Sequence, residues 1–236
     1  MKLHLLGING PFPESGGAAS GYLVSCKDTL LQMDFGTGIL ARLTSLTPPE
    51  LLDAVLLSHW HFDHTSDLLP LIYRLQAVGK ALDLYAPEDP SSAILKIVRD
   101  SGCFRFHPVA AGDTFSVGSI RVQTVPARHP IPTVGYRLEG DGRTIGYTGD
   151  TNTVPHLSDY YAGCDLLLAD GIFPESVWTE DKPHLSAALS AKLAREAGVG
   201  QLVITHLNPI YDPALLLREA RKEFPAALLA AAGSVL

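Results

Sequence analysis

The stretch Ser58-His59-Trp60-His61-Phe62-Asp63-His64 crowds four potential metal ligands into six residues, directly after an apolar run at residues 54–58. A short apolar run of that kind reads as a buried strand, so the HxHxDH pattern stands in the turn where the strand ends. Neutral imidazoles and carboxylates are the ligands of a borderline divalent ion such as zinc. In a turn leaving a strand, His59 and His61 can face one position while Asp63 and His64 face another, and two metals about 4 Å apart form a hydrolytic pair. The bland alternative is a polar loop with incidental histidines, but His and Asp clustered this densely point to a metal or catalytic role.

Two ions need more ligands than one loop supplies, and open α/β layers gather their sites at the C-terminal ends of strands. Three residues fit that rule. His129 follows an apolar strand at 120–125, Asp150 ends the Gly146-Tyr147-Thr148-Gly149 stretch, and His206 ends the strand at 202–205. A consistent division puts His59, His61 and His129 on one metal, Asp63, His64 and His206 on the other, and Asp150 between both. Trp60 and Phe62, interleaved with the ligands, are expected to pack beneath the loop, with gating of a substrate as the alternative.

Outward from the motif, the chain alternates short elements. Strands are expected at 3–8, 22–25 and 29–33, the last two forming a hairpin around Lys27-Asp28, then at 82–86, 120–125, 165–169 and 202–205. Residues 134–138 and 144–148 read as a hairpin turning at Gly140-Asp141-Gly142. Helices are expected at 67–78, closed by Gly79, at 91–100, at 186–197 between the Ser186 cap and Gly198, and at 213–224 with Pro213 in the first turn. Hairpins first and strands interleaved with helices later imply mixed sheets covered by helices. No repeat or linker divides the chain, so residues 1–236 are read as one domain.

Composition narrows the partners. Lys+Arg 18 against Asp+Glu 25 gives a formal charge of −7, which disfavours a long polyanion on the outer surface. The three cysteines, Cys26, Cys103 and Cys164, include no CxxC pair, so neither a disulfide framework nor a cysteine zinc site is expected, and a reducing cytoplasm is the simplest location. The start lacks the pattern of a signal peptide, and the apolar tract at 226–232 is far short of the roughly 20 residues that span a bilayer, so no membrane partner is expected.

In this order, the stretches LLQMDFGTG, SHWHFDH, ARHPIPTVGYR, YTGDT, DKPHLSAALSA and ITHL resemble the metallo-β-lactamase superfamily of hydrolases over nearly the whole chain. The resemblance implies a four-layer αββα sandwich with two mixed β-sheets and a dinuclear site along one edge. It implies that Asp34 orients a metal-binding histidine without itself binding metal, in keeping with the need for an acceptor behind an imidazole N–H. His61 stands where the redox di-iron members carry Glu, which favours zinc hydrolysis. Asp150, His206 and the His129 segment resemble the phosphodiesterase branch that includes RNase Z, and His184 matches a histidine that assists proton transfer there. Asp170 stands where related chains usually have Glu, and is the other candidate supporting residue. The long tRNA-grasping arm of RNase Z has no room in residues 130–149.

The function expected from the resemblance is hydrolysis of a small phosphodiester, such as a cyclic nucleotide or short nucleotide diester, by a hydroxide held between two divalent ions, zinc first and manganese second. Asp63 and His184 are the catalytic candidates. The alternatives are a lactone, ester or thioester hydrolase, since the same hydroxide attacks acyl carbon, and a non-catalytic metal-binding protein. The partner is then a small molecule, and relatives of this branch often form homodimers. Residues 11–21 are a candidate pocket edge, with an ordinary surface loop as the alternative. Asn208 and Tyr211 either line the pocket or form a turn ahead of Pro213.

Overall fold

The computed structural model describes residues 1–236 and contains two mixed sheets. In the first, β1 (Lys2–Gly7), β2 (Gly21–Cys26) and β3 (Thr29–Met33) are antiparallel neighbours. β4 (Ala54–Leu56), β5 (Leu82–Ala86) and β6 (Phe104–Pro108) then continue it in parallel. The second repeats the plan. β7 (Thr114–Val117), β8 (Ile120–Pro126), β9 (Val134–Gly140) and β10 (Arg143–Tyr147) are antiparallel, and β11 (Leu166–Asp170), β12 (Leu202–Thr205) and β13 (Leu228–Leu229) follow in parallel.

Side chains on the first sheet alternate between two hydrophobic cores. Tyr22, Val24, Leu31, Met33, Ala54 and Leu56 face the second sheet, while Leu23, Val55, Leu57, Leu82 and Leu84 belong to a core on the other face. That outer core is closed by α1 (Ile39–Thr44), α3 (Leu68–Val78) and α4 (Ala93–Asp100), with the one-turn α2 (Phe62–Thr65) inside the quoted motif. On the far side, α5 (Leu157–Tyr160), α6 (Ala187–Ala197) and α7 (Pro213–Glu223) cover the second sheet. Period-two strands buried on both faces need two helical layers, and the result is the expected αββα sandwich.

Most expected elements are present within a residue or two. Ser186 Oγ accepts from Leu189 N at 3.2 Å and Gly198 ends α6 at φ 62°. The β9–β10 turn is tighter than expected: only Asp141 and Gly142 lie between the strands, both at positive φ, the pair that suits a two-residue hairpin. The helix expected from residue 91 starts at Ala93, because Ser92 is the residue whose Oγ caps it, while Ser91 is held by Asp89. Strands β6 and β7 were not anticipated. Each stands at the end of its sheet with few fully buried residues, so neither carries the apolar run that marks a central strand. No helix is long and apolar enough to cross a membrane.

Candidate active site

Strand ends from both sheets converge on one edge. Asp34 follows β3, His59 to His64 follow β4, His129 follows β8, Asp150 follows β10, Asp170 ends β11, His206 follows β12, and His184 stands just ahead of α6. The β4 strand stops at Leu56 because Ser58 leaves the ladder: its N–H donates to Asp34 Oδ1 at 2.7 Å. Asp34 and His206 are held in the left-handed region at φ 51° and 57°, a costly conformation that clusters at functional sites. Gly10 lies against the His206 ring so closely that a Cβ there would meet its Cε1 at 2.0 Å.

The side chains form two groups, and a third, of His129, Asp150 and His184, overlaps both. His59, His61 and His129 offer nitrogens that all lie within 4.8 Å of one another, and so do the ligand atoms of Asp63, His64, Asp150 and His206. In the first group, His59 Nε2 and His129 Nε2 each lie 3.0 Å from His61 Nδ1. In the second, His64 Nε2 lies 3.4 Å from Asp63 Oδ2 and 3.3 Å from Asp150 Oδ2, and His206 Nε2 lies 3.4 Å from Asp150 Oδ2. Asp150 joins the groups, since the same Oδ2 is 3.6 Å from His59 Nε2. The structure brings together the side chains that the expected division assigns to each ion. His61 faces the cluster through Nδ1 and the other four histidines through Nε2, a distinction no spacing rule supplies.

The nitrogens of His64, His129, His59 and His206 that turn away from the cluster each have a fixed partner. His64 Nδ1 donates to Asp34 Oδ2 at 2.8 Å, and His129 Nδ1 to the Pro183 carbonyl at 3.0 Å. His59 Nδ1 donates to Ser58 Oγ at 2.9 Å, which in turn donates to Asp34 Oδ2 at 3.0 Å. His206 Nδ1 pairs with Ser20 Oγ at 3.0 Å. Such bonds set the tautomer and aim of a ligand. Asp34 lies behind His64, where an orienting residue would stand, and has two further partners that its motif does not announce, Ser58 and Tyr147. The only signal for Ser58 was its place at the head of the motif, and Tyr147 lay hidden in an apolar strand.

Electrostatics separate the groups. Burial, the largest influence, pushes His59 well below the ordinary histidine range and lowers His61 and His129 too, so these imidazoles stay neutral, as metal ligands must. Burial would also lower His64, but Asp150, Asp63 and Asp34 outweigh it and hold its affinity for a proton well above normal. Burial would raise the Asp63 and Asp150 carboxyls; His64 beside Asp63, and His206 and His64 beside Asp150, pull both below the usual value instead. The carboxylates thus draw positive charge into the second group.

The donor set fits divalent metal. Asp63 Oδ2, His64 Nε2, Asp150 Oδ1 and His206 Nε2 are buried without a hydrogen-bond partner, and unpaired buried polar atoms that converge are costly unless a cation takes them up. In the first group the 3.0 Å spacing is close to the roughly 3.3 Å that separates ligands placed 2.0–2.1 Å from a tetrahedral ion.

His184 borders the cluster. Its Nδ1 lies 2.8 Å from Asp170 Oδ2, which also accepts from Thr151 N at 3.1 Å. Burial opposes a charge on His184, yet Asp170 and Asp150 raise its pKa to about 9. The shorter Asp170 side chain therefore reaches its partner. His61, Asp63, His129, Asp150, His184 and His206 open onto a cavity of about 370 Å³ whose remaining lining is Pro11, Phe62, Pro130 and Pro183. The 11–21 loop enters through Pro11, with Ser20 just behind. Asn208 forms the turn, its Oδ1 accepting from Ile210 N at 3.0 Å. Phe62 departs from expectation. Trp60 is buried and donates to the Pro87 carbonyl at 2.7 Å, but Phe62 is 70% exposed, because it opens α2 and points away from the core that Trp60 fills.

Comparison with known proteins agrees with this architecture. The sequence model of a β-lactamase superfamily domain matches residues 32–207. The chain is 28% identical over 234 residues to a protein described as a probable metallo-hydrolase, YhfI of Bacillus subtilis, covering 95% of this chain and 94% of the relative. It is 29% identical over 270 residues to ribonuclease Z of Methanopyrus kandleri, covering 99% and 96%. The crystal structure of the Bacillus subtilis protein superposes with a TM-score of 0.92, at 27% identity and covering 100% and 98% of the two chains.

Proposed function

The chain belongs to the metallo-β-lactamase superfamily of metal-dependent hydrolases, and from that premise we propose that its substrate is a small phosphodiester, such as a cyclic nucleotide or a short nucleotide diester. The observation that carries this reading is the pair of ligand groups sharing Asp150, with His184 at their edge. His59, His61 and His129 would hold one divalent ion, Asp63, His64 and His206 the other, with Asp150 common to both. The imidazole-rich set suits zinc. Two such ions supply a hydroxide nucleophile near neutral pH and positive charge opposite an anionic phosphate.

The chain's own residues do the rest. Asp170 holds His184 by Nδ1, which leaves Nε2 to present a proton to the leaving oxygen. Asp34 and Ser58 keep His64 and His59 aimed at the cluster. A relative matched over 96% of its length is named as a ribonuclease, an enzyme that cleaves phosphodiesters, which supports this bond type. A small substrate is supported by the cavity, by the −7 charge, and by residues 130–149, which the β9–β10 hairpin takes up and which leave no arm to grasp a long polyanion.

The test is a zinc-loaded preparation assayed on bis(p-nitrophenyl) phosphate beside an acyl ester and lactone panel. Diester hydrolysis that is lost with a chelator and in His59→Ala supports the proposal. Turnover of acyl substrates with an inert diester moves the function to acyl hydrolysis.

A further inference from the structure

Phe62 is the one large apolar side chain on a cavity otherwise lined by ligand-type groups and prolines, and it is 70% exposed. The ring stands in water at the edge of the cavity, while Trp60, two residues earlier, is buried. Its mount is rigid. The Phe62 carbonyl accepts from Ser66 N at 2.9 Å and from Ser66 Oγ at 2.5 Å, and Thr65 Oγ1 donates to the His61 carbonyl at 2.8 Å, so the turn that carries the ring is pinned on both sides. Rigid aromatic surface loses little entropy when a partner covers it.

Position decides what that partner is. Phe62 lies between His61 and Asp63 in the chain, one in each ligand group, and shares their cavity, so a moiety resting on its ring would lie next to the group undergoing reaction. The annex next to the cavity, which shares His129, Pro130 and Pro183 with it, is lined by Arg128 and Lys182 but also by Glu180 and Asp181. Its charges balance, so it offers no net attraction for a further phosphate, and the aromatic wall remains as the discriminating feature.

We propose that Phe62 is a stacking platform for a nucleobase, which makes the substrate class a diester in which a nucleoside flanks the scissile phosphate. This rests on the phosphodiesterase reading. A planar base offers a π face whatever its identity, so one phenyl ring selects for nucleosides without selecting among bases.

The experiment compares thymidine 5′-(p-nitrophenyl phosphate) with methyl p-nitrophenyl phosphate, which share a leaving group and differ in the nucleoside, on zinc-loaded wild type, Phe62→Ala, Phe62→Leu and Phe62→Trp. The proposal expects the wild type to favour the thymidine ester, and Ala and Leu to reduce that preference by about 10- to 100-fold while Trp retains it. A preference unchanged in Phe62→Ala, or retained by Phe62→Leu, which keeps apolar bulk without the π face, overturns it. If the wild type cleaves neither ester, the phosphodiesterase reading fails, and equilibrium binding of AMP against inorganic phosphate still decides the role of Phe62. Tighter binding of AMP that disappears in Phe62→Ala supports the platform, and equal binding of the two refutes it.

Discussion

Tyr147 Oη donates to Asp34 Oδ2 at 2.5 Å, and the bond crosses from the second sheet to the first. The same oxygen accepts from His64 Nδ1 and Ser58 Oγ, so one buried carboxylate receives a ligand histidine, the head of the metal loop and the opposite sheet. Burial, with the Asp34 charge beside it, holds the Tyr147 hydroxyl well above its ordinary pKa, so it remains a donor throughout the working pH range.

Tyr147→Phe removes that donor and leaves the rest of the packing in place. Loss of one hydrogen bond to a buried carboxylate costs about 1–3 kcal/mol, read as a lower melting temperature in metal-free protein. Zinc affinity should fall about 10- to 100-fold, the usual effect of losing an outer partner. A variant titrating zinc like the wild type would show that Asp34 is held well enough without Tyr147.

Gly10→Ala places a methyl against the His206 ring, where the nearest ring atoms would be 2.0 to 2.3 Å away. His206 or the loop must move, so metal at the Asp63, His64 and His206 group weakens while the fold survives. Metal stoichiometry by elemental analysis should drop in the variant, with the far-ultraviolet circular dichroism unchanged.

Asp170→Asn should lower kcat on a diester by about 10²-fold, within the range attributed to a positioned acid, and leave metal content intact, because Asp170 contacts His184 and no member of the two ligand groups by hydrogen bond. Asp170→Glu should recover much of the loss. Equal damage from both changes would mean that Asp170 serves only the backbone of Thr151 and Ile172.

Away from the site, Asp83 receives Arg105 Nε and Nη2 at 2.8 Å each, and His107 Nε2 at 2.8 Å. The hydrogen bond from Arg105 is the chief reason its pKa is held down at about 2. A depressed carboxyl stabilises the fold above its unfolded value near 3.8 and loses that contribution as pH falls to about 2. The pair lies at the surface, with Arg105 57% and Asp83 29% exposed, so Asp83→Asn should cost no more than about 1 kcal/mol at pH 7. Melting curves of the two proteins should differ at pH 7 and converge as pH drops from about 4 to about 2.

How much of this was legible in the linear chain depended on locality. The HxHxDH loop, the Ser186 cap, the Gly198 stop and the strand that precedes each ligand all announce themselves within a few residues, because hydrophobic periodicity and capping act over one turn or one strand. The ligand division was also within reach, since alternate residues leaving a strand face different ways. Edge strands β6 and β7 escaped because little of either is buried.

What the sequence by itself determined was the chemistry available: imidazoles and carboxylates at strand ends, in a chain with enough apolar surface for two sheets and their helices. What only the tertiary structure decided was how those groups are held. Tyr147 meeting Asp34, Gly10 yielding space to His206, Ser20 behind the same ring and Phe62 left facing the cavity are contacts between segments far apart in the chain or on opposite sheets. Each depends on how the two sheets are stacked and in what register, and that is set by the packing of the shared core, to which no single segment holds the key.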